Sequence, residues 1–309
     1  MTNLLTRKKD KVDELAASAG HSLAQQAIRR MARSPVAIVG AVITGLFLLL
    51  AIFAPLLAPK DPYERYLQGE VVLGSGIIPG PRDGFPLGVD DFGRDLLSRL
   101  LVGAQQTLLV GVMATLIGLA IGMVIGGLAG AFGGWVDTVL MRLVDVMLSI
   151  PSLLLAISVA ALAAKPNQWT VIIAVAMVSV PIFARLLRGT MLAQRGSDHV
   201  LAATSLGVKR HTIVLRHMLP NSLGPVIVQA TLTLATSIIE AAALSFLGLG
   251  DPDPSRAEWG LMLGKAAKQF LDIRPELAFY PAIAIIIVAL GFTLLGESMR
   301  EALDPKNRR

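Results

Sequence analysis

The chain has 309 residues, of which 54% are apolar and 16% are charged, and its mean hydropathy is +0.65. Soluble proteins average about 45–50% apolar and about 25% charged residues, so this composition excludes an ordinary soluble domain. The sequence contains no cysteine, which excludes disulfide frameworks, thiolate metal sites and cysteine nucleophiles.

The apolar residues are concentrated in six charge-free segments. An α-helix needs about 20 residues to cross a bilayer, and each segment is long enough. We therefore predict an all-α membrane protein with six transmembrane helices. No piece of the remaining chain reaches the roughly 50 residues of a small domain, so a soluble catalytic domain is excluded. The six segments are residues 34–59, 100–136, 146–164, 166–184, 218–239 and 277–296.

The net charge of +6 is unevenly distributed over the connecting segments. If the N-terminus is cytoplasmic, the inside pieces carry 18 of the 28 Lys and Arg residues, whereas the outside pieces carry 10, against 12 Asp and Glu. An excess of positive charge on the cytoplasmic side is typical of membrane proteins. Both termini are therefore predicted to be cytoplasmic. The orientation of the chain in the lipid bilayer therefore accounts for its positive net charge, and no nucleic-acid partner is predicted.

The N-terminal part of the chain is predicted to contain a tail, a first transmembrane helix and an outer segment. Residues 1–34 are expected to form a cytoplasmic tail that ends in an interfacial helix, because apolar residues recur at helical spacing from Leu23 onward. Residues 35–58 form the first transmembrane helix, with the cap residue Ser34 before it. Residues 59–104 are then extracytoplasmic.

The extracytoplasmic segment contains a dense polar motif with three carboxylates. These carboxylates form a potential cation site. Alternatively, Asp91 and Asp95 stabilise the start of the second transmembrane helix, where negative charge is favourable. We favour the second interpretation and predict no metal site. The motif comprises Asp90, Asp91, Gly93, Arg94 and Asp95.

Residues 105–300 are predicted to form a core with the other five transmembrane helices, followed by a cytoplasmic tail at 301–309. In the second transmembrane helix a glycine recurs every four residues. A row of small residues lets a neighbouring helix approach closely in a membrane. A flexible or pore-lining helix is the competing interpretation, and we favour close packing. The glycines are Gly118, Gly122, Gly126, Gly130 and Gly134.

Ionisable residues lie within or beside two further transmembrane segments. Arg142 and Asp145 are three positions apart near the start of the third helix and are predicted to pair on one face, while Pro151 is expected to bend that helix. Glu240 lies in the fifth helix. Because an intramembrane acid usually faces a protein interior or an aqueous path, Glu240 either contacts a substrate amine or packs against another subunit.

The basic cytoplasmic segment 189–221 is longer than a simple connection between two helices requires. We interpret it as a docking platform for a cytoplasmic partner. All four histidines of the chain fall on the predicted cytoplasmic side without zinc-binding spacing, and no catalytic residue is predicted. The platform residues that we single out are Asp198, Ala202, Ala203, Gly207, Leu219 and Pro220.

The spacing in this segment resembles the cytoplasmic loop of permeases in binding-protein-dependent ABC importers. Two alanines are followed after three residues by a glycine, and a Leu-Pro pair comes later. The chain is also similar, from about Ala27 onward, to the dipeptide, oligopeptide and nickel permease family, and its closing Asp304-Pro305-Lys306 resembles the C-type subunit. The motifs that carry this similarity are Leu87-Gly88-x-Asp90-x-x-Gly93-Arg94-Asp95, His217-x-Leu-Pro-Asn221, Ala242-x-Leu-Ser-Phe-Leu-Gly248 and Glu258-Trp259-Gly260.

The resemblance implies a type I ABC importer permease fold in the bacterial cytoplasmic membrane. It implies that this subunit pairs with a B-type permease and that residues 198–220 dock on one or two ABC ATPase subunits. An extracytoplasmic binding protein would deliver the substrate. ATP and magnesium would belong to the ATPase subunits, and no cofactor is expected in this chain, which would not itself be an enzyme.

Two positions depart from the pattern of the family. Leu201 stands where the wider superfamily often has Glu, and Thr204 stands where many peptide permeases have Arg. We therefore expect the docking contact to depend on packing at Ala203 and Gly207 rather than on charge. Di- or oligopeptides are the expected substrates, with nickel chelates or glutathione-like compounds as the alternative. A stand-alone secondary transporter is disfavoured, because the two halves of the chain lack matching broken helices.

Overall fold

The computed structural model describes residues 28–72 and 77–303 of the chain. Most of the predicted N-terminal tail, including the interfacial helix up to residue 27, and the end of the C-terminal tail lie outside these residues. A short 3-10 helix, Gln68–Glu70, lies in the outer segment, and a π-helical turn, Val214–Met218, joins α7 to α8. The α-helices that we name are α1 (Pro35–Leu57), α2 (Leu96–Phe132), α3 (Gly134–Ser149), α4 (Ser152–Ala160), α5 (Gln168–Gln194), α6 (Asp198–Ser205), α7 (Arg210–Ile213), α8 (Leu219–Leu247), α9 (Trp259–Gln269) and α10 (Glu276–Leu303).

The described helices confirm an all-α membrane protein. Five of them are long and apolar enough to cross a bilayer: α1, α2, α5, α10 and the continuous stretch from α7 through α8. The apolar pair α3–α4 passes the same test together but is bent by 97°. Counting this pair as one broken span gives the six crossings that the sequence predicts. It also places the α6–α7 region on the same side as the start of α1.

Local sequence signals explain where the first two long helices begin. Ser34 caps α1 by accepting a hydrogen bond from the backbone N–H of Ala37 (3.4 Å), and Pro35 occupies the first turn. Asp95 caps α2 by accepting from the N–H of Ser98 (2.8 Å). Helix α2 therefore begins at Leu96, inside the segment 59–104 that the sequence assigned entirely to the outside.

The most extensive helix contact is between α2 and α5, and four glycines of α2 lie at this contact. Gly118 faces Ser179 and Ala176, and the next three glycines face residues further along α5. A Cβ atom on Gly122 would lie 2.6 Å from the Cβ of Phe183 and 2.7 Å from the carbonyl oxygen of Val180. The row of small residues thus lets α5 pack against the backbone of α2. The remaining two glycines of the row are Gly126, which faces Ala184, and Gly130, which faces Met191.

The fifth glycine of the predicted row does not belong to it. Gly134 is the first residue of α3 and has a backbone φ of +58°, while Gly133 before it has a φ of +66°. Both values lie in the region that favours glycine, because it lacks a Cβ atom. Gly134 therefore serves the sharp turn that ends α2, and the packing row ends at Gly130.

The third crossing is broken rather than merely bent at Pro151. This proline precedes α4, and the chain turns by 97° between Ser149 and Ser152. The predicted pairing of Arg142 with Asp145 is wrong: Asp145 pairs with Arg185 of α5, and Arg142 is exposed.

A second ion pair joins α3 to α5. It connects Asp137 near the start of α3 with Arg188 of α5, three residues beyond Arg185. The carboxylates of α3 thus pair with arginines of the neighbouring helix instead of with a basic residue of α3. This happens because α3 crosses close to the cytoplasmic half of α5. The ion pairs therefore hold the two helices together near the predicted cytoplasmic surface.

The outer segments pack together over the ends of the helices. Apolar residues of the segment before α2 form one buried cluster with residues of α9 and the start of α10. The cluster holds these outer segments against one another. Its buried members are Ile78, Phe85, Val89, Leu96, Ala266, Phe270, Leu277 and Ala278.

We predict that Gly122→Ala destabilises the protein, because the new Cβ atom meets the backbone of α5 and forces α2 and α5 apart. The matched control is Gly127→Ala in the same helix, where the nearest atom to the new Cβ is 3.8 Å away. In the control, alanine is expected to be neutral or to raise stability by up to ~1 kcal/mol through helix propensity. Thermal unfolding of the purified protein in detergent measures both. Equal melting temperatures for the two variants would contradict the packing role.

Candidate functional site

On the predicted cytoplasmic side, α6 is attached to the membrane helices by one face. Val200 and Ala203 are buried, and they share an apolar cluster with Phe183, Leu187 and Met191 of α5. The expectation that a partner packs on Ala203 is therefore wrong, because this side chain faces α5. Only residues 195–197 connect α5 to α6, so the position of α6 follows that of α5. Asp198 is the first residue of α6 and is exposed.

Gly207 ends α6 with a backbone φ of +75°. Its N–H donates to the carbonyl of Thr204 (3.0 Å), and the N–H of Val208 donates to the carbonyl of Ala203 (3.1 Å). These two bonds form a Schellman motif, which requires a left-handed residue at the glycine position. No side chain or backbone would touch a Cβ atom there, so the glycine is needed for its conformation rather than for space.

Two arginines fasten this region to the end of α2. Arg195 donates to the carbonyl of Gly130 (2.7 Å). Arg210 donates to the carbonyls of Ala131 (2.7 Å) and Phe132 (2.9 Å). The last carbonyls of a helix have no partner within the helix and carry partial negative charge, so cationic donors satisfy them well.

The start of α8 is connected to α6 as well. The amide nitrogen of Asn221 lies 3.3 Å from Nε2 of His199, and it donates to the carbonyl of His217 (2.7 Å). Leu219 and Pro220 form the first turn of α8, with Leu219 half-buried and Pro220 exposed. The segment 198–220 is therefore tied to α2, α5 and α8 at once.

The face of this segment that points away from α5 is apolar and exposed. Leu206 is 82% exposed and Leu201 is 52% exposed, and Ala202 lies exposed between them. We call Leu201, Ala202 and Leu206 the docking face. Such side chains on an otherwise basic, water-facing segment indicate a surface for a protein partner.

On the extracytoplasmic side, the polar motif forms a buried ion network. Asp90 pairs with Arg94 (2.7 Å) and with Arg99 (3.2 Å), and all three side chains are buried. Arg94 donates to the carbonyl of Pro254 (2.9 Å), and Arg99 donates to carbonyls of Pro62, Ser255 and Arg256 at 2.9–3.1 Å. The network therefore joins the segment before α2 to the loop before α9.

The other carboxylates of the motif also have partners within the protein. Asp95 caps α2, as predicted, but Asp91 does not: it pairs with Lys265 of α9. The Lys265 ammonium also lies over the ring of Phe92, 4.0 Å from its centre. Gly93 has a φ of +76°, and a Cβ atom there would lie 2.6 Å from the backbone of Leu67. The motif thus holds outer segments together.

Glu258 belongs to the same region, and sequence reasoning gave it no role. It caps α9 by accepting from the N–H of Gly260 (3.3 Å) and hydrogen-bonds with Ser245 of α8. Burial raises the pKa of its carboxyl to about 7. The adjacent Trp259 donates to the carbonyl of Leu100 (2.9 Å). The motif Glu258-Trp259-Gly260 was the available signal, but the contact of Trp259 with Leu100 joins residues 159 positions apart in the sequence.

Glu240 lies within the membrane-spanning part of α8. Its side chain is half-buried and hydrogen-bonds with Ser152, the first residue of α4. The structure therefore brings Glu240 to the break in the third crossing. It does not bring Glu240 together with Arg142 and Asp145, because these residues lie on α3 and Asp145 is paired with α5.

The fold defines the class of protein. The inward-facing structure of the MetNI methionine ABC transporter has a chain that superposes with a TM-score of 0.55 at 18% identity, covering 67% of this chain and 96% of that chain. The shared fold is that of an ABC importer permease.

The sequence comparisons show the family. Residues 122–309 match the family of binding-protein-dependent transport system inner membrane components, and residues 22–71 match the N-terminal transmembrane domain of oligopeptide transport permease C. The chain therefore belongs to the binding-protein-dependent transport family and is a multi-pass permease of the bacterial inner membrane.

Two relatives are similar over nearly their whole length. The dipeptide transport system permease protein DppC of Alkalihalophilus pseudofirmus is 42% identical, over 91% of this chain and 90% of its own. The glutathione transport system permease protein GsiD of an Escherichia coli strain is 44% identical, over 90% and 89% respectively. Both relatives are named as transport permeases, which agrees with a transport subunit.

We predict that Asp90→Asn strongly destabilises the protein, because it leaves Arg94 and Arg99 buried without a counter-charge. Breaking one partner of a buried ion pair typically costs about 3–5 kcal/mol. Glu70→Gln is the matched control, since it removes the pair of Glu70 with Arg82 (2.7 Å), in which both side chains are about half-exposed. That change is expected to cost about 1 kcal/mol or less. Thermal unfolding in detergent compares the two, and similar losses would contradict the network.

Proposed function

We propose that this chain pairs with a second, related permease to enclose a translocation path for short peptides. In this proposal an extracytoplasmic binding protein delivers the peptide. One or two ABC ATPase subunits drive transport by docking on the segment 198–220. The observation that carries the proposal is the docking face: an exposed apolar surface on a segment that is fastened to three membrane helices.

The attachments of this segment support a mechanical role. A force on Leu206 passes into α5 through the packing of Val200 and Ala203, and into α2 through Arg195 and Arg210. The Schellman motif at Gly207 fixes the angle between α6 and the chain that follows. A docked partner that changes position would therefore move these helices together rather than deform a flexible loop.

The coupling can be described as a shift between two arrangements of the permease pair. In this proposal, hydrolysis of magnesium-bound ATP at the ATPase subunits supplies the free energy, and this chain needs no cofactor. Closure of the ATPase subunits favours the arrangement with the path open to the outside, and hydrolysis restores the other. The docking face must contact the partner differently in the two arrangements, since only differential binding shifts an equilibrium.

The proposed substrate class follows from the relatives. One is named for dipeptides and another for glutathione, which is itself a short peptide with an unusual first linkage. Both substrates carry an ammonium group, a carboxylate and at least one amide bond. Short peptides are therefore the common chemistry, and nickel chelates are the alternative that the experiment must separate.

We predict that Leu206→Glu abolishes docking of the ATPase without preventing membrane insertion, because it places a charge in an apolar contact on a side chain that is 82% exposed. The matched control is Leu162→Glu at the opposite end of the molecule, where the leucine is 84% exposed. Co-purification of the ATPase with each tagged permease measures docking. Full co-purification with Leu206→Glu would overturn the assignment of the docking face.

The substrate is tested by uptake into cells that have this importer as their only peptide transporter. We expect uptake of labelled alanyl-alanine, loss of that uptake when the gene for this chain is deleted, and no uptake of a nickel chelate. Glutathione is measured in parallel, to separate an ordinary dipeptide from a γ-linked peptide. Uptake of the nickel chelate alone would reject the peptide proposal and leave the permease class intact.

A further inference from the structure

Glu240 is an acidic residue in the membrane whose charge is not balanced within this chain. It lies seven residues before the end of α8 at Leu247, which places it about 10 Å from the extracytoplasmic end of the helix. Across residues 28–72 and 77–303, no Lys, Arg or His forms an ion pair with it, and its contact is the hydrogen bond with Ser152. By contrast, Asp137 and Asp145 both pair with arginines.

Two exposed hydroxyl side chains lie near Glu240, among apolar neighbours such as Ile239 and Leu154. Ser152 is exposed, and so is Thr236, which lies one helical turn before Glu240 on the same face of α8. We call Glu240, Ser152 and Thr236 the polar strip. A carboxyl group and two hydroxyl groups on an open surface at this depth are unfavourable against lipid chains, so this face is expected to border protein or water.

The exposed face of α1 provides the contrast. Its open residues include Val42, Leu46 and Ile52, each about half or more exposed, and all are aliphatic. That surface suits lipid. These three residues present no polar group, whereas the polar strip presents a carboxyl and two hydroxyl groups within the membrane-spanning part.

The break in the third crossing lies beside Glu240. Ser152 is the first residue of α4, eight residues from its outer end at Ala160, which corresponds to about 12 Å. Glu240 lies at nearly the same distance from the outer end of α8. Broken helices at membrane depth are tolerated where they are buried in protein or border a water-filled cavity. The break and the acid thus coincide.

We infer that the polar strip is a cation-recognising site in the translocation path, and that it takes the terminal ammonium group of a peptide in transit. The inference rests on the proposed function for the identity of the substrate. A carboxylate without a basic partner attracts a cation, and an ammonium group has three donors to share between the carboxylate and the hydroxyl oxygens. Glu240 selects for charge, whereas Ser152 and Thr236 hold the group by hydrogen bonds.

The first test uses the absence of cysteine from the chain. Thr236→Cys is introduced, and the assembled importer in nanodiscs is treated with a positively or a negatively charged methanethiosulfonate reagent, following the label on this chain. We expect the cationic reagent to react about tenfold faster, equivalent to ~1.4 kcal/mol, and this preference to disappear when Glu240→Gln is added. Leu46→Cys on α1 is the control and should not react.

A competition experiment addresses the ammonium group. Millimolar alanyl-alanine is expected to slow the labelling of Thr236→Cys severalfold, whereas N-acetyl-alanyl-alanine is not. Equal protection by both peptides, or by neither, would reject the ammonium assignment. A Thr236→Cys side chain that does not react, or that reacts with the same charge preference whether residue 240 is Glu or Gln, would show that this face is packed against another subunit.

Uptake of alanyl-alanine supplies the functional measurement. Glu240→Gln should lower uptake about tenfold, because glutamine keeps the hydrogen bond to Ser152 but loses the charge, and Glu240→Asp should restore most of it. The control is the same substitution at a surface position, Glu297→Gln, where the glutamate is half-exposed and 3.7 Å from Arg300. Wild-type uptake by Glu240→Gln would overturn the site. If the wild-type importer takes up no peptide, the proposed function fails, while the labelling experiment still decides the charge preference of the strip.

Discussion

The close contact between α2 and α5 positions most of the other elements of the protein. Lipid chains are as apolar as leucine side chains, so two helices in a membrane gain little from hiding apolar surface and must gain from close packing. Gly118, Gly122 and Gly126 provide it by letting α5 rest on the backbone of α2. Because α5 continues into α6, this contact also sets the position of the docking face.

Charge is used differently at the two surfaces and inside the membrane. On the cytoplasmic side, Arg195 and Arg210 satisfy the last carbonyls of α2, and on the outer side Asp90 joins two arginines in a buried network. In both places each charge has a partner within the chain, a helix carbonyl or an opposite charge, and these contacts hold segments together. Glu240 differs because, among residues 28–72 and 77–303, it hydrogen-bonds with a neutral hydroxyl group and forms no ion pair, so its charge is available to a ligand.

Local features could be predicted from the sequence because they depend on near neighbours. Ser34 and Asp95 cap helices that begin at the next residue, and Gly207 ends α6 with the left-handed conformation that only glycine adopts easily. The same reasoning failed for Arg142 and Asp145. Spacing allowed them to pair on one helix, but Asp145 had a better-placed arginine on α5. Sequence spacing describes which residues share a face and not what that face meets.

The membrane class, the six crossings and the permease family can be predicted from the sequence, because length, apolar segments and motif spacing are properties of the linear chain. The 97° break in the third crossing and the pairing of Asp91 with Lys265 depend on how the helices pack. This tertiary packing also brings Glu240 to Ser152, 88 positions away in sequence. The physical reason is that each of these contacts joins residues on different elements, whose positions follow from how all the helices pack.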